Sequence, residues 1–312
     1  MKNEIGKAAD KKYSGAWPTM ITPYDENFKI DIAAYRLLIE WYLNQNIGGL
    51  YANCLSSAMF HLSPEERILL ISEAVKISNG RAPVAATGNF GNSIKEHIKF
   101  SKKVADLGVD VLMLLVPDFL DSDDELEKYY LTMAEEINVP LGLYECPIPR
   151  SFHLSNRLVE KLAKTGKYYA YKETSCDISK IKEIIKLTQE TPLAVLQANI
   201  PYLYEAVKAG SPGSMNIASI WAPDLVATVI EKTKNNDPIA EKLHQDLVAM
   251  EMAQRAVHPY GSKYLLQKRG LPISCRIRSD RKRLEAEEKH ALDIIANKWF
   301  KKDNGFKILE GI

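Results

Sequence analysis

Lys172 closes the apolar run Tyr168-Tyr169-Ala170-Tyr171-Lys172 and is followed by Glu173-Thr174-Ser175. A lysine at a strand end has two fates. Its ammonium sits in solvent, as most lysines do, or it is desolvated at the mouth of a pocket. In the second case its pKa falls and the amine is free to attack a ketone, forming a Schiff base. One unit earlier, the run Leu143-Tyr144-Glu145-Cys146-Pro147 carries a tyrosine at its end. The Tyr144 phenol could pass protons to and from a carbinolamine, given tuning of an ordinary pKa near ~10; it could equally be a core tyrosine bonded to the backbone. A third stretch, Cys54-Leu55-Ser56-Ser57-Ala58, sets two hydroxyls side by side in a tight loop. Ser56 and Ser57 suit a small carboxylate held by hydroxyl and backbone N–H groups, or an ordinary turn.

These residues need a scaffold that brings three distant loops together, and the chain has the rhythm of one. Short β-branched or apolar runs alternate with longer segments of helical periodicity from about Ala16 to about Ala218. Eight candidate strands follow: Ala16–Thr22, Gly49–Asn53, Pro83–Thr87, Val109–Val116, Pro140–Glu145, Tyr168–Lys172, Leu193–Gln197 and Gly213–Ala218. Val109–Val116 is almost continuously apolar, as a parallel strand buried on both faces must be. Helix signals are legible between them. Ser63-Pro64-Glu65-Glu66 combines an N-cap serine, proline at the first helical position and a glutamate that completes a capping box. Leu107-Gly108 and Ala209-Gly210 each place glycine just past an amphipathic run, where a left-handed residue ends a helix.

The spacing therefore predicts an α/β chain folded as a (β/α)8 TIM barrel over residues 1–222, with a short N-terminal arm. A C-terminal helical extension follows over 223–312, with Asp237–Met252 and Arg283–Trp299 its clearest helices. Active sites of such barrels lie at the C-terminal ends of the strands, which is where Lys172, Tyr144 and the serine loop fall. An open doubly wound sheet is the alternative, but the first turn lacks a GxGxxG fingerprint.

Composition narrows the function further. The 312 residues are 46% hydrophobic and 26% charged, the balance of a globular chain. Lys and Arg number 41 against 40 Asp and Glu, a formal charge of +1 that gives no broad field for nucleic acid or anionic lipid. Cys54, Cys146, Cys176 and Cys275 are scattered without metal-ligand spacing, which suits a reducing, cytoplasmic setting. Met1–Tyr13 has no apolar signal region, and Val111–Val116, the strongest apolar run, is too short to span a bilayer. Neither a cofactor fingerprint nor a metal cluster is expected. The histidines His61, His97, His153, His244, His258 and His290 are dispersed, and only His61 is near the serine loop, read there as a packing residue.

Thr22-Pro23, Leu62-Ser63-Pro64-Glu65-Glu66-Arg67, Leu143-Tyr144-Glu145-Cys146-Pro147 and Tyr171-Lys172-Glu173-Thr174 occur in an order and spacing that resembles the dihydrodipicolinate synthase / N-acetylneuraminate lyase family. The resemblance covers roughly Gly15 to Pro272. It implies a metal-independent class I lyase or aldolase that binds pyruvate or another 2-oxo acid as a Schiff base and works on a carbon–carbon or carbon–oxygen bond, with an aldehyde as the second substrate. By the same resemblance Lys172 is the nucleophile and Tyr144 the general acid/base. Ser56 and Ser57 would clamp the 2-oxo acid carboxylate, and Met215 in Gly213-Ser214-Met215-Asn216 would line the pyruvate pocket. A homo-oligomer, tetramer or dimer, is also implied.

The chain departs from the family pattern at defined places. Cys54, Leu55, Ser57 and Ala58 stand where the family usually has Gly, Ser/Thr, Gly and Glu, removing one hydroxyl and the flanking glycines. Pro117-Asp118-Phe119 replaces a Pro-Tyr-Tyr run, and Phe119 transfers no proton. Pro149 aligns with the synthase's carboxylate-holding arginine, with Arg150 one residue on. Asn199-Ile200 stands in place of the acidic pair of the sialic acid branch. Asp118 or Glu145 at the barrel mouth would hydrogen-bond a hydroxylated or amino-bearing partner, or be a solvated carboxylate. The expectation is a Schiff-base 2-oxo acid lyase with its second substrate unassigned. The alternatives are a true dihydrodipicolinate synthase acting on aspartate semialdehyde, with Ser56 and Arg150 substituting for the usual groups, and a catalytically impaired barrel that binds a small molecule.

Overall fold

The computed structural model describes residues 11–278, 284–301 and 305–309. Most of the expected N-terminal arm and Arg283, the first residue of an expected helix, lie outside them. Eight strands are present: β1 (Gly15–Pro18), β2 (Leu50–Ala52), β3 (Val84–Thr87), β4 (Val111–Leu115), β5 (Leu141–Tyr144), β6 (Tyr168–Glu173), β7 (Ala194–Gln197) and β8 (Gly213–Asn216). Every ladder is parallel, and each strand pairs with its sequence neighbour from β2 through to β8, while β1 returns to pair with β8. The last seam, between β1 and β2, is closed by a Thr19–Tyr51 bridge and by Met20 N–H donating to Tyr51 O at 3.0 Å. The result is a (β/α)8 barrel, and every expected strand is found within a few residues of its predicted limits.

The connecting helices are α1 (Ile32–Leu43), α2 (Pro64–Ser78), α3 (Ile94–Ala105), α4 (Asp123–Glu136), α5 (Asn156–Lys164), α6 (Ile178–Leu187) and α7 (Leu203–Lys208). Ser63 caps α2 as its spacing predicts: its hydroxyl accepts from Glu66 N–H at 3.2 Å, and the Glu66 carboxylate accepts from Ser63 N–H at 3.0 Å. After β8 come α8 (Ala218–Trp221), α9 (Pro223–Lys234), α10 (Ile239–Arg255), α11 (Tyr260–Lys268) and α12 (Ala286–Trp299). Although a division at residue 222 puts α9 with the extension, this helix packs on β1 and α7 and so takes the eighth place in the ring around the barrel.

Alternation along the strands sorts the core. Val111, Met113 and Leu115 of β4 join Trp17, Tyr51, Ala85, Ala170, Leu196 and Met215 inside the barrel, while Leu112 and Leu114 pack outward against helices. The interior position of β5 next to Met113 is Gly142, where a Cβ would lie 2.2 Å from the Met113 sulfur. The same alternation turns Lys172 and Tyr144, which are register partners on β6 and β5, into the barrel above Ala170. The extension is tied down by Arg269, just past α11, whose buried guanidinium pairs bidentately with Asp224 at 2.8 Å and donates to Trp221 O at 2.9 Å.

Candidate active site

A cavity of about 700 Å³ opens at the C-terminal ends of the strands, with Lys172, Tyr144, Ser56 and Met215 in its wall. Lys172 is 7% exposed, and its Nζ lies 4.2 Å from the centre of the Tyr144 ring and 5.4 Å from that of Tyr51. Among the described residues it has no hydrogen-bond acceptor and no carboxylate partner. Burial lowers its pKa, opposed only by the nearby thiols of Cys54 and Cys146. Burial thus shifts the balance of the amine towards its neutral, nucleophilic form. The Tyr144 phenol is pushed well above its ordinary pKa by burial, with Cys146 and Tyr51 adding to the effect, so it stays protonated and able to donate. Its ring stands edge-on to Tyr51 at 5.8 Å, and the Tyr51 hydroxyl is paired with Thr87 Oγ1 at 2.9 Å.

The serine loop folds as two 3₁₀ turns, Leu55–Ser57 and Met59–His61. Ser56 reaches the cavity, and its hydroxyl donates to Thr19 Oγ1 at 3.2 Å, which in turn donates to Asn216 O at 3.1 Å. This chain ties the loop to the end of β8 beside Met215. Ser57 does not share the expected role. Its hydroxyl is buried, donates to Met20 O at 2.6 Å and accepts from Cys54 N–H at 3.0 Å, so it braces the loop and lies outside the cavity wall. Left-handed backbone is taken by Asn53 (φ 51°) and Ala58 (φ 56°), whereas Cys54 is extended at φ −118°. The missing glycine at position 54 therefore imposes no strain there. Leu55 turns an apolar side chain into the cavity where the family pattern has a hydroxyl.

Glu145 is neither a free ligand for a substrate nor a solvated carboxylate. It is 1% exposed and accepts from Tyr171 Oη at 2.6 Å, Leu154 N–H at 2.7 Å and Thr174 Oγ1 at 3.3 Å, and it pairs with His153 Nδ1 at 3.1 Å. Burial would raise its pKa, but His153, Lys180 and Tyr171 outweigh it and hold the carboxyl below its ordinary value. Asp118 lies exposed on the loop after β4. Arg150 is also committed elsewhere: it pairs with Asp121, donates to Pro117 O at 3.1 Å and Leu120 O at 2.6 Å, and stands 4.9 Å over the Phe152 ring.

The geometry brings in residues that their spacing in sequence hides. His61, His153 and His258 all line the cavity, contributed by the serine loop, the segment after β5 and the turn between α10 and α11. Arg255, the last residue of α10, lines it too. The only hint in the sequence was the helical periodicity of the extension, which gives no sign of where its end is aimed. Among the described residues, no three His, Cys, Asp or Glu side chains converge to hold a metal ion.

The family model described as the dihydrodipicolinate synthetase family matches residues 12–298. The 4-hydroxy-tetrahydrodipicolinate synthase of Bacillus velezensis is 30% identical over 257 residues, covering 81% of this chain and 88% of that protein. The enzyme of the same name from Bacillus subtilis is 30% identical over 258 residues, again covering 81% and 88%. A dihydrodipicolinate synthase structure from Bacillus anthracis superposes with a TM-score of 0.86 at 25% identity, over 93% of this chain and 99% of that one. YagE, a prophage protein of the dihydrodipicolinic acid synthase family from E. coli K12 solved in complex with pyruvate, gives 0.84 at 21% identity over 91% and 98%.

Proposed function

Because this chain belongs to the dihydrodipicolinate synthetase family, a family of class I aldolase-type lyases, we propose that it forms a Schiff base between Lys172 and pyruvate or another small 2-oxo acid. The observation that carries this reading is the Lys172 amine: buried, without a carboxylate partner among the described residues and set against the Tyr144 ring at the mouth of the barrel. The neutral amine adds to the ketone carbon, and the resulting carbinolamine loses its oxygen as water to leave the imine. Tyr144, protonated by virtue of its burial, donates the proton that the departing hydroxyl needs. Loss of a proton from the carbon next to the imine then gives an enamine that attacks the carbonyl of an aldehyde; cleavage is the reverse. On this reading Ser56, which shares the cavity wall with Met215, offers its hydroxyl to the 2-oxo acid carboxylate.

The second substrate is a separate question. Leu55 and the diverted Arg150 remove two polar contacts that the resemblance links to the synthase reaction, so this reading leaves the aldehyde open and keeps aspartate semialdehyde as one member of the panel to be tried. The four cysteines are free, which agrees with a reducing, cytoplasmic setting, and the resemblance suggests a homo-oligomer. Among the described residues no helix is long and apolar enough to cross a membrane.

Borohydride reduction in the presence of pyruvate, followed by intact-mass measurement and peptide mapping, tests the proposal. A reduced adduct is expected on Lys172 and is expected to vanish in Lys172→Ala. Absence of any adduct with pyruvate or a panel of small 2-oxo acids would overturn it in favour of a barrel that binds a small molecule without turning it over, detectable as a ligand-dependent rise in thermal stability.

A further inference from the structure

Once Lys172 is consumed by an imine, one permanently charged group remains in the cavity wall among the described residues, the guanidinium of Arg255. It is delivered by the extension and not by a strand-end loop. Two contacts fix it. Its Nε donates to Glu251 Oε1 at 2.8 Å, one helical turn back on α10, and its Nη2 reaches Asn199 Oδ1 at 3.4 Å. Asn199 is itself held, since its N–H donates to Gln197 Oε1 at 2.7 Å and its side-chain amide to Thr174 O at 3.4 Å, two residues past Lys172. Glu251 is fully buried, so it anchors the guanidinium from behind, and burial raises its carboxyl above the ordinary pKa against the pull of Arg255. A guanidinium has five N–H donors. Two are engaged here, and the side chain, which lines the cavity, is 35% exposed. The lining of the cavity that holds both cations includes the apolar side chains of Leu55, Ile148, Ile217 and Ile277.

We infer that Arg255 recognises a carboxylate at the far end of the second substrate, so that the aldehyde partner is an acidic one whose carbon chain lies along the apolar wall. The inference rests on the imine chemistry of Lys172 proposed above. A planar carboxylate matches the free edge of the guanidinium, and in a site lined by apolar side chains such a charge-assisted pair is stronger than in water. Arg150 does not compete for this role, because it is not part of the cavity wall and its guanidinium is held by Asp121 and by the Pro117 and Leu120 carbonyls.

The test uses extended 2-oxo acids that resemble an aldol product and need no turnover. Borohydride trapping on Lys172 is titrated with 2-oxoglutarate against 2-oxopentanoate, and with 2-oxoadipate against 2-oxohexanoate; within each pair the carbonyl and chain length are the same and only the distal carboxylate differs. In the wild type, at least one dicarboxylic member is expected to half-saturate at a concentration about tenfold or more lower than its neutral counterpart. Arg255→Leu is expected to bring each pair together, and Arg255→Lys to keep part of the difference. The neutral oxo acid serves as the reference within each variant, so a misfolded protein loses both members and Arg255→Lys then decides. A wild type without preference, or a preference that survives in Arg255→Leu, overturns the inference. If no oxo acid is trapped, including pyruvate, the Lys172 reading has failed by itself. Calorimetric titration with glutarate and pentanoate then decides: glutarate bound by the wild type and lost in Arg255→Leu supports the assignment, and equal binding by both refutes it.

Discussion

At the scale of single residues, Lys172 and Tyr144 show how burial does opposite things to an amine and a phenol. Removing water disfavours the charged form of each, so the lysine is driven towards its neutral state and the tyrosine is kept in its neutral state. In the proposed reaction one serves as nucleophile and the other as acid by the same cause. Exchange of the pyruvate methyl protons with deuterated solvent, followed by NMR, reads both without a second substrate, because it requires only the enamine. Tyr144→Phe is expected to slow this exchange by about 10²- to 10⁴-fold, the usual worth of a positioned acid/base group. In the wild type the rate is expected to rise with pH through a midpoint below the pKa of a free lysine, since the neutral amine is the reactive species and its pKa is lowered. A midpoint at or above the free-lysine value, or full exchange in Tyr144→Phe, would contradict these roles. Ser57 gives the opposite lesson. Two neighbouring serines look alike in a sequence, but consecutive residues of a tight turn point in different directions, and only Ser56 faces the cavity.

At the scale of elements, the strands were legible because burial on both faces of a parallel sheet writes a continuous apolar run, and the helices because their caps are local. Ser63 and Glu66 need only each other to start α2, and Gly108 and Gly210 adopt φ values of +86° and +111° just past helix ends, as their positions predicted. Lys172 and Tyr144 were legible for a related reason, since a strand's last inward residue is also its catalytic position in this architecture. What stayed hidden depended on contacts between distant segments: the diversion of Arg150 to Asp121, the closing of Glu145 by Tyr171 and His153, and the lining of one cavity by three histidines. The seam between β8 and β1 depends on a residue with no side chain. A Cβ on Gly213 would fall 2.1 Å from Gly15 O, a backbone atom with no freedom to yield inside a parallel ladder. Gly213→Ala is therefore expected to destabilise the protein by about 1–3 kcal/mol, read as a lower urea midpoint, with an unchanged midpoint counting against this account.

At the scale of the whole molecule, barrel and extension are joined through buried cations. Arg269 grips Asp224 and Trp221, and Lys263 of α11 donates to Thr22 O at 2.8 Å, just past β1, and to Arg276 O, with its ammonium 4.9 Å over the Tyr24 ring. Burial pushes the Lys263 pKa down to about 7. In the unfolded chain the same group titrates near ~10.4, so between these values the unfolded state binds more protons and stability rises with pH. The contribution is lost as pH falls through about 7. Urea midpoints at a series of pH values from about 7 to 10 should show this slope, bounded at about 1.4 kcal/mol per pH unit for one proton, and Lys263→Met should flatten it. An identical slope in the variant would assign it to other groups. The anchoring of α10 against the turn after β7, where His244 Nε2 meets Ile200 O at 2.7 Å, has a consequence for descent. In the proposed reaction bond-making resides in strand ends that cannot change without disturbing the barrel, whereas the helix end carrying Arg255 lies outside the eightfold repeat. A lineage can redraft its choice of partner there, one substitution at a time, and hand on the imine machinery unaltered.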